Sequence, residues 1–341
     1  MSERLLLENR LKYLSEKNEE GDILWTSYKK MKRRLKKGYY RFIQSKCPYY
    51  TDHGENHIKA VMKGSGDLLE DNIEDLNEMS IFLLLSSIIW HDVGMVLGRT
   101  DHAKKVGNVT KDLKELFPEE GIRRVMTKIS RSHSGDKGLK IPNDKDYCSV
   151  NSKDYTVYPK ALAAILRFSD EFTEDRSRVS EDVIDQVPSD QRIYWEYALC
   201  ITTTTVELNR NRVILKIEIP SSKVLNRYVA PKEFEQYADK NNEMSLIEYI
   251  VGRLEKLNEE RCYCAPEFKR YDVNIEEISA RLTLLKDDTD GIDEYENKEI
   301  LLRDHGLKSK KHYPSIKIYQ EFFEKFSQWK IKNIKEAISD V

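Results

Sequence analysis

Along the first half of the chain, apolar and polar residues recur with the period of helices. Leu5, Leu6, Leu7, Leu11 and Leu14 stand among charges over residues 3–20, and residues 23–46 continue as a strongly basic helix. Thr51 and Asp52 are good helix-capping types and predict a third helix running through His57, Val61 and Met62, loosened at its end by Gly64 and Gly66. An acidic stretch from Asp67 to Glu78 leads into Ile81–Trp90, a segment apolar enough to be a helix buried on nearly every side. Residues 99–117 and 119–132 read as two more helices. The polar segment from Ser134 to Tyr158, with Gly135, Gly138 and Pro142, reads as a loop. Pro159 can open the next helix at its first turn, and that helix carries Leu162, Ile165, Leu166 and Asp170.

After about residue 190 the pattern changes. Trp195 to Leu208, with four consecutive threonines from Thr202, favours strand; Asn209-Arg210-Asn211 can turn; and Val213–Ile219 alternates in part before stopping at Pro220. Helix is expected again over 231–259, a strand over 273–285 and an acidic loop from Asp287 to Glu296. From Ser315 an amphipathic helix is expected, with Tyr319, Phe322, Phe323, Phe326 and Trp329 on its apolar stripe. The whole pattern predicts a mainly α fold. A helical core over 1–190 is followed by an α+β appendage over 191–341, built on a hairpin near 194–219 and ending in that C-terminal helix.

Composition adds limits. The 341 residues are 39% apolar and 34% charged, which suits a charge-covered globular protein with a sizeable core. A net charge of −2 gives no global field toward nucleic acid or membrane, so such binding would need a local patch. No stretch reads as a membrane span, Met1-Ser2-Glu3-Arg4 lacks the apolar core of a signal peptide, and the five cysteines are irregularly spaced. A cytoplasmic protein is expected.

The chemistry begins where the apolar segment ends, at His91-Asp92. A buried carboxylate without a partner is costly, so Asp92 needs a cation, a metal or a dense set of donors. Helical spacing puts His57 beside Val61 and His53, at the rim of a core. Asp170 continues the line Leu162, Leu166, Asp170 at four-residue steps, at the edge of a buried face. Two imidazoles and two carboxylates on three helices suffice as ligands for a divalent metal with open water positions. The mixed nitrogen and oxygen set suits manganese, iron, zinc, nickel or cobalt, with magnesium as an alternative. Any one interior histidine, taken alone, is more often a satisfied core residue.

His57, then His91-Asp92, then Asp170 resembles the His…His-Asp…Asp signature of the HD-domain metal-dependent phosphohydrolases. The resemblance covers roughly residues 45–180. Its strongest pieces are His57-Ile58-Lys59-Ala60-Val61, His91-Asp92-Val93-Gly94-Met95 and Leu166-Arg167-Phe168-Ser169-Asp170-Glu171. The resemblance implies a helical core in which His57, His91, Asp92 and Asp170 hold a metal. Many members of that family add a second ion, for which His102 and His133 are the candidate ligands, with a phosphate contact as the alternative, so one or two ions are expected. With two ions, Asp92 is the natural bridge. Asp52-His53-Gly54-Glu55-Asn56-His57 resembles a branch found in bacterial conflict and signalling proteins, in which His53 would orient a phosphate or protonate a leaving group; a helix-start role is the alternative. Asp92, His102, His133 and His53 are therefore the catalytic candidates.

Arg167, Glu171, Glu174, Asp175, Arg176 and Arg178 form a dense charge cluster after this helix, from which Arg167 and Arg176 are the candidate substrate-binding arginines. The basic run over 29–41, interleaved with Tyr28, Tyr39, Tyr40 and Phe42, would suit a nucleic-acid backbone or be matched internally. Cys262-Tyr263-Cys264 lacks the second pair a zinc ribbon needs. The implied activity is hydrolysis of a phosphate ester or anhydride by a metal-activated water, on a deoxynucleoside triphosphate or a cyclic or signalling nucleotide. A nuclease acting on single strands is one alternative, and a non-catalytic nucleotide-sensing module with a structural metal is another. A homo-oligomer is open.

Overall fold

The computed structural model describes residues 5–135, 138–220, 222–224, 226–285 and 294–303. The fold is mainly α. The first helices are α1 (Leu6–Ser15), α2 (Glu19–Arg34), α3 (Tyr40–Lys46), α4 (Glu55–Leu68) and α5 (Glu78–Trp90). Asn18 caps α2 by accepting from the Gly21 amide, and Asn77 caps α5 by accepting from Ser80. Between α2 and α3 the chain widens into a π-turn over Leu35–Tyr39. Every residue of α5 is buried, because α1, α2, α7 (Glu120–Arg131) and α8 (Pro159–Phe172) surround it. The segment Glu78–Leu97 is long and apolar enough to cross a membrane, but 89% of its apolar window is buried inside the fold.

The next helix, α6 (His102–Asp112), packs back against the turn at Val93–Leu97 that follows α5. Gly94 permits that approach. A Cβ there would sit 2.0 Å from the carbonyl oxygen of His102, closer than any atom pair tolerates. Asp101, just before α6, takes the left-handed conformation (φ 54°), which Asp accepts more readily than most residues.

The segment read as a polar loop contains a hairpin, β1 (Asp146–Val150) with β2 (Lys153–Val157), turning at Asn151 and Ser152, both at positive φ. Cys148, Val150, Tyr155 and Val157 are buried beneath its charged outer residues. The expected strand from Trp195 is corrected in its first part. Ser189–Cys200 is a helix, α9, in which Ile193, Glu196, Tyr197 and Cys200 are buried at helical spacing. The strand begins at Ile201.

The hairpin β3 (Ile201–Glu207) and β4 (Arg212–Pro220) is extended by β7 (Glu277–Leu285), parallel to β4, and by β8 (Glu294–Arg303), antiparallel to β7, in the order β3-β4-β7-β8. A short pair, β5 (Arg227–Val229) and β6 (Glu243–Ser245), precedes α10 (Leu246–Phe268), which opens with a capping box between Ser245 and Glu248. The helix expected over 231–259 thus starts later and ends later. One continuous apolar core runs from Leu7 to Leu282. The expected C-terminal helix lies outside the described residues.

Gly94→Ala is expected to destabilise the fold by about 1–3 kcal/mol through overpacking, read as a lower denaturation midpoint. It should also displace the start of α6 and with it His102.

Candidate metal centre

Five helices and turns deliver the site. His57 comes from α4, His91 caps α5, Asp92 follows it, His102 opens α6, His133 follows α7, and Asp170 lies in the last turns of α8. The structure brings all six together. The side chains of His57, His91 and Asp170 form one set of ligand atoms, and those of Asp92, His102 and His133 form another, each able to hold a metal ion. In the first set, His57 Nε2 lies 3.1 Å from Asp170 Oδ1 and 3.2 Å from His91 Nε2. In the second, His102 Nε2 lies 2.9 Å from His133 Nε2 and 3.1 Å from Asp92 Oδ1.

Asp92 faces both sets with different atoms. Its Oδ2 is 3.2 Å from His91 Nε2 and 3.7 Å from His57 Nε2, while its Oδ1 reaches His102 and, at 3.6 Å, His133. All five histidines among the described residues belong to this assembly. Their ring centroids follow one another from His53 to His57 (5.6 Å), His91 (5.2 Å), His133 (4.9 Å) and His102 (5.0 Å).

The donor set fits a divalent cation. His91 Nδ1 donates to the Ile88 carbonyl (2.7 Å), His133 Nδ1 to Ser130 (2.6 Å) and His102 Nδ1 to Arg99 (3.1 Å). A carbonyl can only accept, so these Nδ1 atoms carry the protons and the neutral rings point Nε2 lone pairs inward. His102 and His133 therefore direct two lone pairs at each other and at a carboxylate oxygen, with no proton between them. A cation relieves that repulsion. His57 differs, since its buried Nδ1 has no hydrogen-bond partner among the described residues, and packing together with the contact from Nε2 to Asp170 orients its ring.

The charges agree. Burial opposes ionisation of Asp92 and Asp170, yet the imidazoles hold both carboxyls below the usual range: His91 and His102 act on Asp92, and His91 and His57 on Asp170. Burial also opposes charge on His91, but Asp92 and Asp170 outweigh it and push its pKa up to about 9. His133, buried beside His91 and His102, is pushed down to about 3. Without metal, then, His91 carries a proton that offsets one of the two carboxylate charges.

His57, Asp92, His102, His133 and Asp170 floor a cavity of about 710 Å³, with His91 buried beneath it. Its far wall comes from α9 and α10, including Tyr194, Tyr197, Tyr249 and Arg253. Tyr249 packs edge-on against both Tyr194 and Tyr197, with centroids 5.8 and 5.4 Å apart. Arg167 lines the cavity, but its guanidinium is fully engaged. Nε and one terminal nitrogen bind Glu260 (2.6 and 2.7 Å), and the other donates to the Gly135 carbonyl (2.6 Å). Through Glu260 it also ties α8 to α10. Arg176 is placed differently. It is outside the cavity lining and reaches Glu218 (3.4 Å), while Arg178, two residues on, lines the cavity and binds the Asp52 carbonyl (2.8 Å) and Glu174 (2.8 Å).

His53 lines the cavity without joining either ligand set. Its Nδ1 donates to the Thr51 carbonyl, and its Nε2 accepts from Arg99 at 3.4 Å. Burial, helped by Arg178 and Arg99 against the pull of Asp92, holds its pKa well below the usual imidazole range. Sequence reading passed over Arg99; its one signal is a place three residues before His102, in the same turn.

Metal affinity should depend on pH with a definite sign. Metal needs the His91 lone pair, and the metal-free ring is protonated below about 9. Apparent affinity should therefore rise by up to about tenfold per pH unit between 7 and 9 and flatten above, because one proton is displaced. Calorimetry in buffers of different ionisation enthalpy reads the released proton directly; no release at pH 7 would contradict this charge assignment.

No curated protein matches the chain. The HD-CE family model matches residues 47–241, more than half of its length, and that span contains His57, the His91-Asp92 pair, His102, His133 and Asp170. With its signature residues gathered into one buried centre, the chain belongs to the HD-CE family, a family of HD-type domains.

Proposed function

We propose that the protein is a metal-dependent phosphohydrolase that cleaves a phosphate ester or anhydride of a nucleotide, with two divalent transition-metal ions in its cavity. The observation that carries this reading is the placement of Asp92, whose two oxygens face two separate ligand sets. A carboxylate so placed suits a pair of ions that share it. When bound, such ions lower the pKa of a water and offset charge on the phosphoryl oxygens. The chain's own part is to hold neutral imidazoles in one tautomer, keep both aspartates ionised, and enclose the reacting group away from bulk water.

The nucleotide reading is supported by the far wall. Half-buried Tyr194, against Tyr197 and Tyr249, offers aromatic surface beside the polar amide of Gln191, a combination that suits a base. A cavity of this volume takes one nucleotide. Manganese is the first metal to try, given the mixed nitrogen and oxygen ligands. The nuclease alternative has less support. No residue of 29–41 lines the cavity, and within that run Lys32 and Lys36 are ion-paired to Glu8 and Glu55.

The test is a substrate panel on manganese-loaded protein, read by product chromatography: nucleoside mono-, di- and triphosphates, cyclic nucleotides, and single-stranded DNA and RNA. Turnover of a mononucleotide is expected. His91→Ala/Asp92→Ala should lose bound metal and reduce turnover by about 10²–10³-fold or more, the scale of losing electrostatic stabilisation at a reacting centre. Metal retained at wild-type stoichiometry in that variant would sink the site, and turnover confined to polymers would establish the nuclease instead.

A further inference from the structure

Six cationic side chains line the cavity: Arg99, Arg167, Arg178, Lys232, Arg253 and Lys256. Four are ion-paired: Arg167 with Glu260, Arg178 with Glu174, and both Arg253 (2.8 Å) and Lys256 (3.1 Å) with Glu171. Among the described residues, Arg99 and Lys232 have no carboxylate at ion-pair distance. Lys232 is followed by Glu233, which also lines the cavity. Arg99 has no such neighbour, and its side chain is held in place by neutral groups.

That support is specific. One terminal nitrogen of Arg99 donates to His53 Nε2 (3.4 Å), and its guanidinium carbon lies 5.4 Å from the Tyr50 ring centroid. His53 accepts because its Nδ1 proton is committed to the Thr51 carbonyl. The His53 loop is fixed in turn by Arg178, whose backbone carbonyl accepts from the Asp52 amide and whose side chain donates to the Asp52 carbonyl, both at 2.8 Å. The Arg99 carbonyl accepts from His102 Nδ1, so the same residue touches the second ligand set through its backbone. An exposed guanidinium fork that lines the cavity, with one terminal nitrogen steadied by a neutral imidazole and by the Met95 sulfur (3.6 Å), matches an anion bidentately through its remaining donors.

We propose that Arg99, positioned by His53, binds a second phosphate of the substrate, one beyond the phosphate held at the metal centre. The substrate class is then an ester carrying at least two linked phosphates, such as a nucleoside di- or triphosphate. This inference rests on the phosphohydrolase reading. It gives His53 the task of holding Arg99, in place of donating a proton, which its neutral Nε2 does not carry.

The experiment uses full-length, manganese-loaded protein and two probes that resist hydrolysis, methylphosphonate and methylenediphosphonate, with affinities from calorimetry and metal content checked in every variant. Arg99→Ala should weaken methylenediphosphonate about tenfold or more, the scale of a charge-assisted hydrogen bond, and leave methylphosphonate unchanged. Arg99→Lys, which keeps the charge and loses the fork, should fall between. His53→Ala should also weaken the diphosphonate selectively, yet add no further loss in the Arg99→Ala background. Equal loss for both probes, or none, would overturn the second-phosphate site, and additive losses would overturn the positioning role of His53. If the metal-loaded wild type binds neither probe, the phosphohydrolase reading itself falls and takes this inference with it.

Discussion

The structure is organised around one buried carboxylate. Asp92 is almost without solvent, and an ionised carboxylate in such a place is tolerable only when cations or donors meet both of its oxygens. Imidazoles meet them from two sides, and their tautomers are fixed by backbone carbonyls, so the inward lone pairs need a positive ion among them. The demand propagates outward. The apolar helix α5 holds His91 and Asp92 at a fixed depth, and the missing side chain at Gly94 lets His102 return beside them. The close packing that makes the centre costly when empty also keeps its ligands in register.

Much of this was legible in the sequence because the ligands sit where strong periodic signals end. His91-Asp92 closes an unbroken apolar run, and Asp170 continues a four-residue stripe on a helix that opens with proline. Local pattern failed where tertiary packing chose against it. The hairpin over 146–157 buries Cys148, Val150, Tyr155 and Val157 in alternation, but Asp and Lys at its outer positions give the segment the composition of a loop. In α9 the aromatic residues Tyr194, Trp195 and Tyr197 favour strand by propensity, yet burial at 193, 197 and 200 imposes the helical period. Trp195 is accommodated by donating to the Tyr49 carbonyl (2.8 Å).

The arginines show a different limit. Position in sequence cannot distinguish Arg176 from Arg178, because the turn between them decides which guanidinium faces the cavity and which reaches outward to Glu218. Nor can it reveal that Arg167 is fully engaged, since its partner Glu260 lies 93 residues away. Arg99 meets His53 across 46 residues, through two irregular segments with no period to betray the contact. Ligands on helices are written into local pattern, whereas the residues that shape the cavity around them depend on long-range closure.

That distinction bears on how the site divides its work. The family match ends at residue 241, but α10, which begins at Leu246, supplies Tyr249, Arg253, Lys256 and Glu260 to the cavity. It is joined to α8 through Arg167–Glu260 and through Glu171, which meets Arg253 and Lys256. Arg167 and Glu171, four residues apart, share one face of α8, and Asp170 lies between them in sequence. Removing one partner of such a partly buried pair leaves the other charge uncompensated and is destabilising. The α10 wall of the cavity and the helix that carries Asp170 are therefore joined as one ion-paired unit. A substitution on α10 that removed Arg253 or Lys256 would release Glu171 on the neighbouring helix, so the shape of the cavity wall and the position of Asp170 are physically coupled.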